Sequence, residues 1–206
     1  MKAEQITGML LAGGRGSRMG GVDKGLQNFQ GQSLARLALE RLRPQVGMLM
    51  VNANRNLAEY RAMGAPVWPD ELQGYAGPLA GFLTGLRHCD TPWLLTVPCD
   101  TPLFPADLAA RLMLAIDADG AELAMARGRE VDGHGCASLR AQPVFCLLPR
   151  GLLDSLLSFT STGGRKIDAW TAQHHTALAD FDRPGDDPQA FLNVNTLAEL
   201  QALEGS

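Results

Sequence analysis

The sequence predicts an α/β fold, a mainly parallel central sheet with helices packed on both faces, and three observations lead there. Short apolar runs of strand length alternate with longer amphipathic segments from one end of the chain to the other, the signature of successive βαβ units. The most strongly apolar run, residues 93–97, is bounded by turn residues and nearly lacks the alternation of a half-exposed strand, so it belongs in the middle of a sheet covered on both sides. A length of 206 residues suits one domain with a substantial core, and no internal repeat or low-complexity linker interrupts it. The expected architecture is a three-layer, Rossmann-like single domain over residues 1–206.

Residues 6–11 read as the first strand. Residues 33–42 carry Leu34, Leu37, Leu39 and Leu42 among Arg36, Glu40 and Arg41, an amphipathic helix with Ser33 as its N-cap. Residues 47–52 form a second strand, 57–63 a short helix, and 66–68 a third strand that runs out at Pro69 and Asp70. The run Gly77-Pro78-Leu79-Ala80-Gly81 opens a further helix, with proline in a first turn where its missing N–H costs no hydrogen bond. After the central strand, residues 105–116 read as a helix. The second half is less regular. Residues 122–126 and 143–148 read as strands, 151–157 as a helix, 163–166 as a basic turn and 176–182 as a strand, with Asn193-Val194-Asn195-Thr196 before a terminal helix. Residues to about 101 and residues 102–206 are expected to form two uneven lobes of this one domain.

Residues 10–26, L-L-A-G-G-R-G-S-R-M-G-G-V-D-K-G-L, join the first strand to a loop carrying Gly13, Gly14, Gly16, Gly20 and Gly21 with Arg15, Arg18 and Lys24 among them. Glycines let backbone N–H groups close around anionic oxygens, and the cations add charge-assisted contacts to phosphate. An open α/β sheet binds nucleotides beyond the carboxyl ends of its strands, so the loop is expected to hold a nucleoside triphosphate. Two common phosphate loops are excluded. A Walker A motif needs Ser or Thr after its lysine, where this chain has Gly25, and a dinucleotide fingerprint begun at Gly14 needs glycine where Met19 stands.

Leu11, Ala12, Gly14, Arg18, Met19, Gly20 and Lys24 fit the pattern L-A-x-G-x-x-x-R-[MF]-G followed by lysine, and with it the chain resembles the nucleotidyltransferases of the glycosyltransferase-A-like superfamily. The double glycine Gly13-Gly14 and the Asp23-Lys24 pair are similar to one branch, the molybdenum cofactor guanylyltransferases; the neighbouring cytidylyltransferase branch reads L-A-A-G there. The likeness continues through G-P-L-A-G at 77–81 and N-V-N-T at 193–196. It implies transfer of GMP from GTP to the phosphate of molybdopterin with Mg²⁺ as cofactor, and cofactor-delivery proteins and molybdoenzyme chaperones as partners. A molybdopterin cytidylyltransferase or a sugar-phosphate nucleotidyltransferase would share the chemistry. A non-catalytic nucleotide- or cofactor-binding module would share the fold alone.

Asn52, Asp70 and Asp100 each stand at or just past the end of an expected strand, and in a parallel sheet those ends share one rim. Taken singly, Asn52 and Asp70 read equally well as turn residues. Asp100, in C-D-T-P after the central strand, is well placed to present its oxygens to a metal. The resemblance implies that Asp100 is the metal ligand, that Lys24 contacts the phosphates, and that Arg18 neutralises the leaving pyrophosphate. It also implies that Leu11, Ala12 and Gly13 hold the nucleotide through their backbone, with Asn52 and Asp70 completing the site. A carboxylate suits guanine, whose ring N–H and exocyclic amine it can accept together; cytosine offers no such pair. Where relatives show His-Pro-Thr in the second half, this chain has Gln142-Pro143-Val144.

A formal net charge of −4 argues against a nucleic-acid partner, which calls for a basic face. Cys89, Cys99, Cys136 and Cys146 show no C-x-x-C spacing and no accompanying histidine pair, which argues against zinc and for reduced, mostly buried thiols in a cytoplasmic protein. His134, His174 and His175 read as surface or loop residues. The first seven residues lack a signal-peptide core, and no apolar run approaches a membrane span, so no membrane partner is expected.

Overall fold

A computed structural model describes residues 2–14, 23–29, 31–71, 77–131 and 137–194. The strands are β1 (Ile6–Leu11), the short hairpin β2 (Asn28–Phe29) and β3 (Gln32–Ser33), then β4 (Met48–Asn52), β5 (Val67–Trp68), β6 (Trp93–Pro98), β7 (Leu123–Val131), β8 (Ala137–Pro149) and β9 (Thr176–Phe181). The helices are α1 (Leu34–Leu42), α2 (Leu57–Arg61), α3 (Pro78–His88), α4 (Leu108–Asp119), α5 (Leu153–Ser161) and α6 (Ile167–Thr171). Seven strands make one sheet in the order β5-β4-β1-β6-β8-β7-β9. Neighbours are parallel from β5 to β6 and again between β7 and β9, while β8 runs against both of its partners. The mainly parallel α/β architecture is therefore as the sequence predicts.

Alternation along the strands divides the core into two layers. Ile6 and Leu10 of β1 join Ala38, Leu42, Leu108 and Leu112 of α1 and α4 on one face. Met9 faces the other way, with Phe82 and Leu86 of α3, Leu156 of α5 and Trp170 of α6. Ser33 caps α1 by accepting from the Arg36 N–H at 3.3 Å, and Pro78 occupies the first turn of α3. A Cβ on Gly81 would lie 2.5 Å from Leu11 Cδ2 and 2.8 Å from Asn52 Oδ1, so only glycine lets α3 pack this closely over the ends of β1 and β4.

The second half departs from expectation. The β7–β8 ladder continues well beyond the apolar runs at 122–126 and 143–148, to Val131 on one arm and back to Ala137 on the other. Those extensions contain Arg127, Arg129, Glu130 and Arg140, and without an apolar face they carry no period-2 signal. The register jumps from Met125↔Cys146 to Ala126↔Gln142, a bulge that absorbs Pro143, which has no N–H for a ladder. Helix α4 begins three residues later than expected and stops at Gly120, in the left-handed region at φ 63°. The short α6 was not expected, and the terminal helix lies outside the described residues.

Arg111 of α4 ties this half together. It is 6% exposed, donates to both carboxylate oxygens of Asp186 at 2.7 and 2.9 Å, donates to the Asp180 carbonyl, and lies 3.9 Å over the Phe181 ring. Hydrogen bonds from that guanidinium hold the Asp186 carboxyl below the ordinary carboxylate range. Arg111→Ala is expected to cost about 3 kcal/mol at neutral pH, the scale of breaking a buried pair. The stabilisation is fully present above the unfolded aspartate pKa of about 4 and is lost as pH falls through the lower folded value. Denaturant titrations at neutral and strongly acidic pH would check this; an equal penalty at both would assign the effect to packing on Phe181.

Candidate active site

Strand register assembles the rim. Leu11 lies opposite Asn52 on one side and Pro98 on the other, and Asn52 lies opposite Trp68, so the last residues of four adjacent parallel strands form one row. The ladder runs one residue further, with the Ala12 N–H donating to the Asn52 carbonyl at 2.8 Å and the Cys99 N–H to the Leu11 carbonyl at 3.1 Å. Strand order reverses beside β1, the position at which open sheets leave a crevice for ligands.

At one end of the row, Asp70 is held by asparagines. Asn52 Nδ2 donates to Asp70 Oδ1 at 2.8 Å and to the Trp68 carbonyl at 3.2 Å. Asn54 Nδ2 donates to Asp70 Oδ2 at 2.7 Å and to the Gly13 carbonyl at 3.2 Å, while Asn54 Oδ1 accepts from the Asp70 N–H at 2.8 Å. Each carboxylate oxygen has a second lone pair, so the pair can still accept two parallel N–H donors.

At the other end, Lys24 rides on a 3₁₀ turn, Lys24–Leu26, capped by Asp23, whose Oδ1 accepts from the Gly25 N–H at 3.2 Å. Asp23 is 8% exposed and also accepts from the Tyr60 hydroxyl at 2.7 Å and from Asn56 Nδ2 at 2.9 Å, with Arg55 Nε 3.7 Å away. A Cβ on Gly25 would meet the Tyr60 hydroxyl at 2.4 Å, so glycine permits the turn to sit against α2. Lys24 Nζ lies 3.5 Å from Asp100 Oδ2, with both side chains 23% exposed. The loop bearing Asp100 is fastened from behind: the Val194 N–H donates to the Asp100 carbonyl at 2.7 Å, and the Thr101 hydroxyl donates to Asn193 Oδ1 at 2.6 Å. Burial pushes the Cys99 thiol and the Tyr60 phenol far up, so both stay neutral and neither is an activated nucleophile.

A family model described as the MobA-like NTP transferase domain matches residues 8–177. Over 201 residues, covering 97% of this chain and 95% of the relative, the sequence is 68% identical to the molybdenum cofactor guanylyltransferase of Acidovorax ebreus (strain TPSY). The chain belongs to the molybdenum cofactor guanylyltransferase family. Its relative in Bordetella pertussis (strain Tohama I / ATCC BAA-589 / NCTC 13251), of the same name, is 58% identical over 199 residues, 97% of this chain and 96% of that one. Among solved structures, molybdopterin-guanine dinucleotide biosynthesis protein A from Archaeoglobus fulgidus superposes with a TM-score of 0.74 at 19% identity, covering 97% of each chain. A 4-diphosphocytidyl-2C-methyl-D-erythritolsynthase from Anaerococcus prevotii gives 0.73 at 8% identity, covering 99% of this chain and 98% of that one. These two likenesses speak for the fold.

In this member of the guanylyltransferase family, Leu11, Ala12, Gly13, Asn52, Asp70, Lys24 and Asp100 gather along one rim. Arg18 lies outside the described residues, as do Cys136 and His134. Cys89, Cys99 and Cys146 are free and buried. His174 sits between Ser155, 2.9 Å from its Nε2, and Glu122, 3.3 Å from its Nδ1, with no rim residue among these partners. Sequence reasoning gave Asp23 only its place in the Asp23-Lys24 pair, with no role of its own, and missed Asn54, Arg55, Asn56 and Tyr60. Of these, only Asn54 and Asn56 could have been flagged, by the spacing N-x-N-x-N at 52–56 that begins on the last residue of β4.

Proposed function

We propose that this chain transfers GMP from GTP to the phosphate of molybdopterin, forming molybdopterin guanine dinucleotide and pyrophosphate. The kinship with guanylyltransferases supports the reaction, and one observation supports its location: Lys24 and Asp100, a cation and a carboxylate 3.5 Å apart, flank the strand ends that also bring in Gly13 and Asp70. An oxygen of the acceptor phosphate attacks the α-phosphorus, a new P–O bond forms, and the bond to the bridging oxygen breaks as pyrophosphate leaves. The acceptor is a phosphomonoester already ionised at neutral pH, so no general base is assigned. Lys24 and Arg18 stabilise the negative charge gathered on the leaving group. Asp70 reads guanine, Asn52 orients Asp70, and the backbone at Leu11, Ala12 and Gly13 holds the nucleotide. Residues up to about 101 serve the nucleotide, and the remainder shapes the acceptor side.

Asp100 fits a Mg²⁺ carried in with the triphosphate. It is partly exposed, it stands just past the end of β6, and among the described residues no cluster of three or more His, Cys, Asp or Glu could hold an ion unaided. Mg²⁺ is commonly bound by one or two carboxylates, with phosphate oxygens and water completing its shell. When bound it would supply neutralisation of the phosphate oxygens. Among the described residues no helix is long and apolar enough to cross a membrane, and the buried free thiols support a cytoplasmic setting, where delivery proteins and molybdoenzyme chaperones would be partners.

With molybdopterin as acceptor, GTP is expected to be consumed in preference to CTP, ATP and UTP offered at equal concentration, with pyrophosphate release that stops in EDTA. Preference for CTP would move the chain to cytidylyl transfer. GTP binding without pyrophosphate release would favour the non-catalytic module.

A further inference from the structure

We propose that Asn54-Arg55-Asn56, the tripeptide following β4, is a positioning unit that aligns the base-reading end of the site with its phosphate-binding end. The proposal rests on the assignment of guanine to Asp70 and of phosphate to Lys24. Three consecutive side chains reach three separate parts of the rim. Asn54 exchanges hydrogen bonds with Asp70 in both directions and donates to the Gly13 carbonyl. Arg55 Nη2 donates to the Gly14 carbonyl at 3.2 Å and its Nε faces Asp23. Asn56 donates to the buried Asp23 carboxylate.

The backbone is shaped for this task. Asn56 has φ 50°, a left-handed conformation that asparagine tolerates better than most residues, and it is the one non-glycine residue with positive φ among the described residues. That kink ends the run from β4 and starts α2, whose Tyr60 supplies another hydrogen bond to Asp23. Asp23 in turn caps the turn that presents Lys24. One short segment therefore fixes Gly13 and Gly14 at one end of the glycine-rich stretch, Asp23 at the other, and Asp70 just past the end of β5. None of the three is assigned a contact with a reacting atom; each acts through Asp70, Lys24 or the loop backbone.

The test separates the two ends by calorimetric binding of three probes to the purified full chain: GTP, ITP (which lacks the 2-amino group) and inorganic pyrophosphate. The wild-type protein should bind GTP about tenfold more tightly than ITP, the scale of one hydrogen bond to a charged group. Asn54→Ala should bring that ratio close to one and leave pyrophosphate affinity near its wild-type value. Asn54→Asp keeps the side-chain volume, removes the donors and places a like charge beside Asp70; it should abolish the preference even if the alanine variant folds poorly. Arg55→Met should weaken pyrophosphate binding about tenfold with the GTP-to-ITP ratio retained. Asn56→Gly keeps the left-handed backbone and loses the donor to Asp23, and should shift pyrophosphate affinity the same way by a smaller factor.

A tripeptide that served only stability would move both readouts together in every variant, and that result overturns the proposal. So does a wild-type GTP preference that survives both Asn54 variants, or Asn56→Gly with unchanged pyrophosphate affinity. A wild-type protein that binds GTP and ITP equally overturns the role of Asp70 itself, and is recognisable before any variant is made.

Discussion

Asp100→Ala is expected to abolish guanylyl transfer, lowering kcat/KM by about 4 kcal/mol or more, roughly a thousandfold, the scale of charge stabilisation supplied by a bound metal. The geometry permits a sharper expectation. The Asp100 carboxylate lies 3.5 Å from the Lys24 ammonium, so without a metal it competes with any phosphate for that cation and repels the triphosphate. In EDTA, therefore, Asp100→Ala should bind GTP at least as tightly as the wild-type protein, although it turns nothing over when Mg²⁺ is restored. Calorimetric titration in EDTA, paired with pyrophosphate release in Mg²⁺, checks both halves. Weaker metal-free binding in the variant would mean that Asp100 serves to shape the loop fastened by Val194, and the metal assignment would fall.

Lys24→Ala is expected to lower kcat/KM for GTP by at least about 2 kcal/mol, the scale of a lost charge-assisted contact made in the transition state. Lys24→Arg should recover part of that loss only. Arginine keeps the charge, but its planar fork is wider than an ammonium. The turn has little room to adjust, because Gly25 packs against the Tyr60 hydroxyl and Asp23 is held from three directions. Steady-state kinetics on both variants decide the matter. An alanine variant with near-normal turnover would make Lys24 a solvated loop cation and remove the electrostatic basis of the proposed reaction.

The strands of the first half were legible because burial on both faces leaves a direct trace in sequence. Residues 6–11 and 93–97 are apolar throughout or nearly so, and they became β1 and β6 at the centre of the sheet. Asn52, Asp70 and Asp100 were legible as candidates because strand ends in a parallel sheet converge by topology, whatever the side chains. The second half was harder to read for the converse reason. The outer arms of β7 and β8 are paired through their backbones while Arg129, Glu130 and Arg140 remain exposed, so hydrogen bonding, which periodicity does not record, holds them together.

By itself the sequence determined the fold class, the order of most elements, the family likeness and the identity of the residues along the rim. These follow from local chemistry: apolar periodicity, capping by Ser33, proline at the head of α3, and a glycine- and cation-rich stretch after a strand. Tertiary structure alone decided how those residues are held. That Asp70 is gripped by two asparagines, that Asp23 is buried beneath Lys24, and that Asn54, Arg55 and Asn56 reach both ends of the site depend on register between β1, β4 and β5 and on one left-handed residue. Hydrogen bonds between residues 16, 33 or 41 positions apart leave no periodic trace in a single chain, because their partners become neighbours only when the sheet has formed.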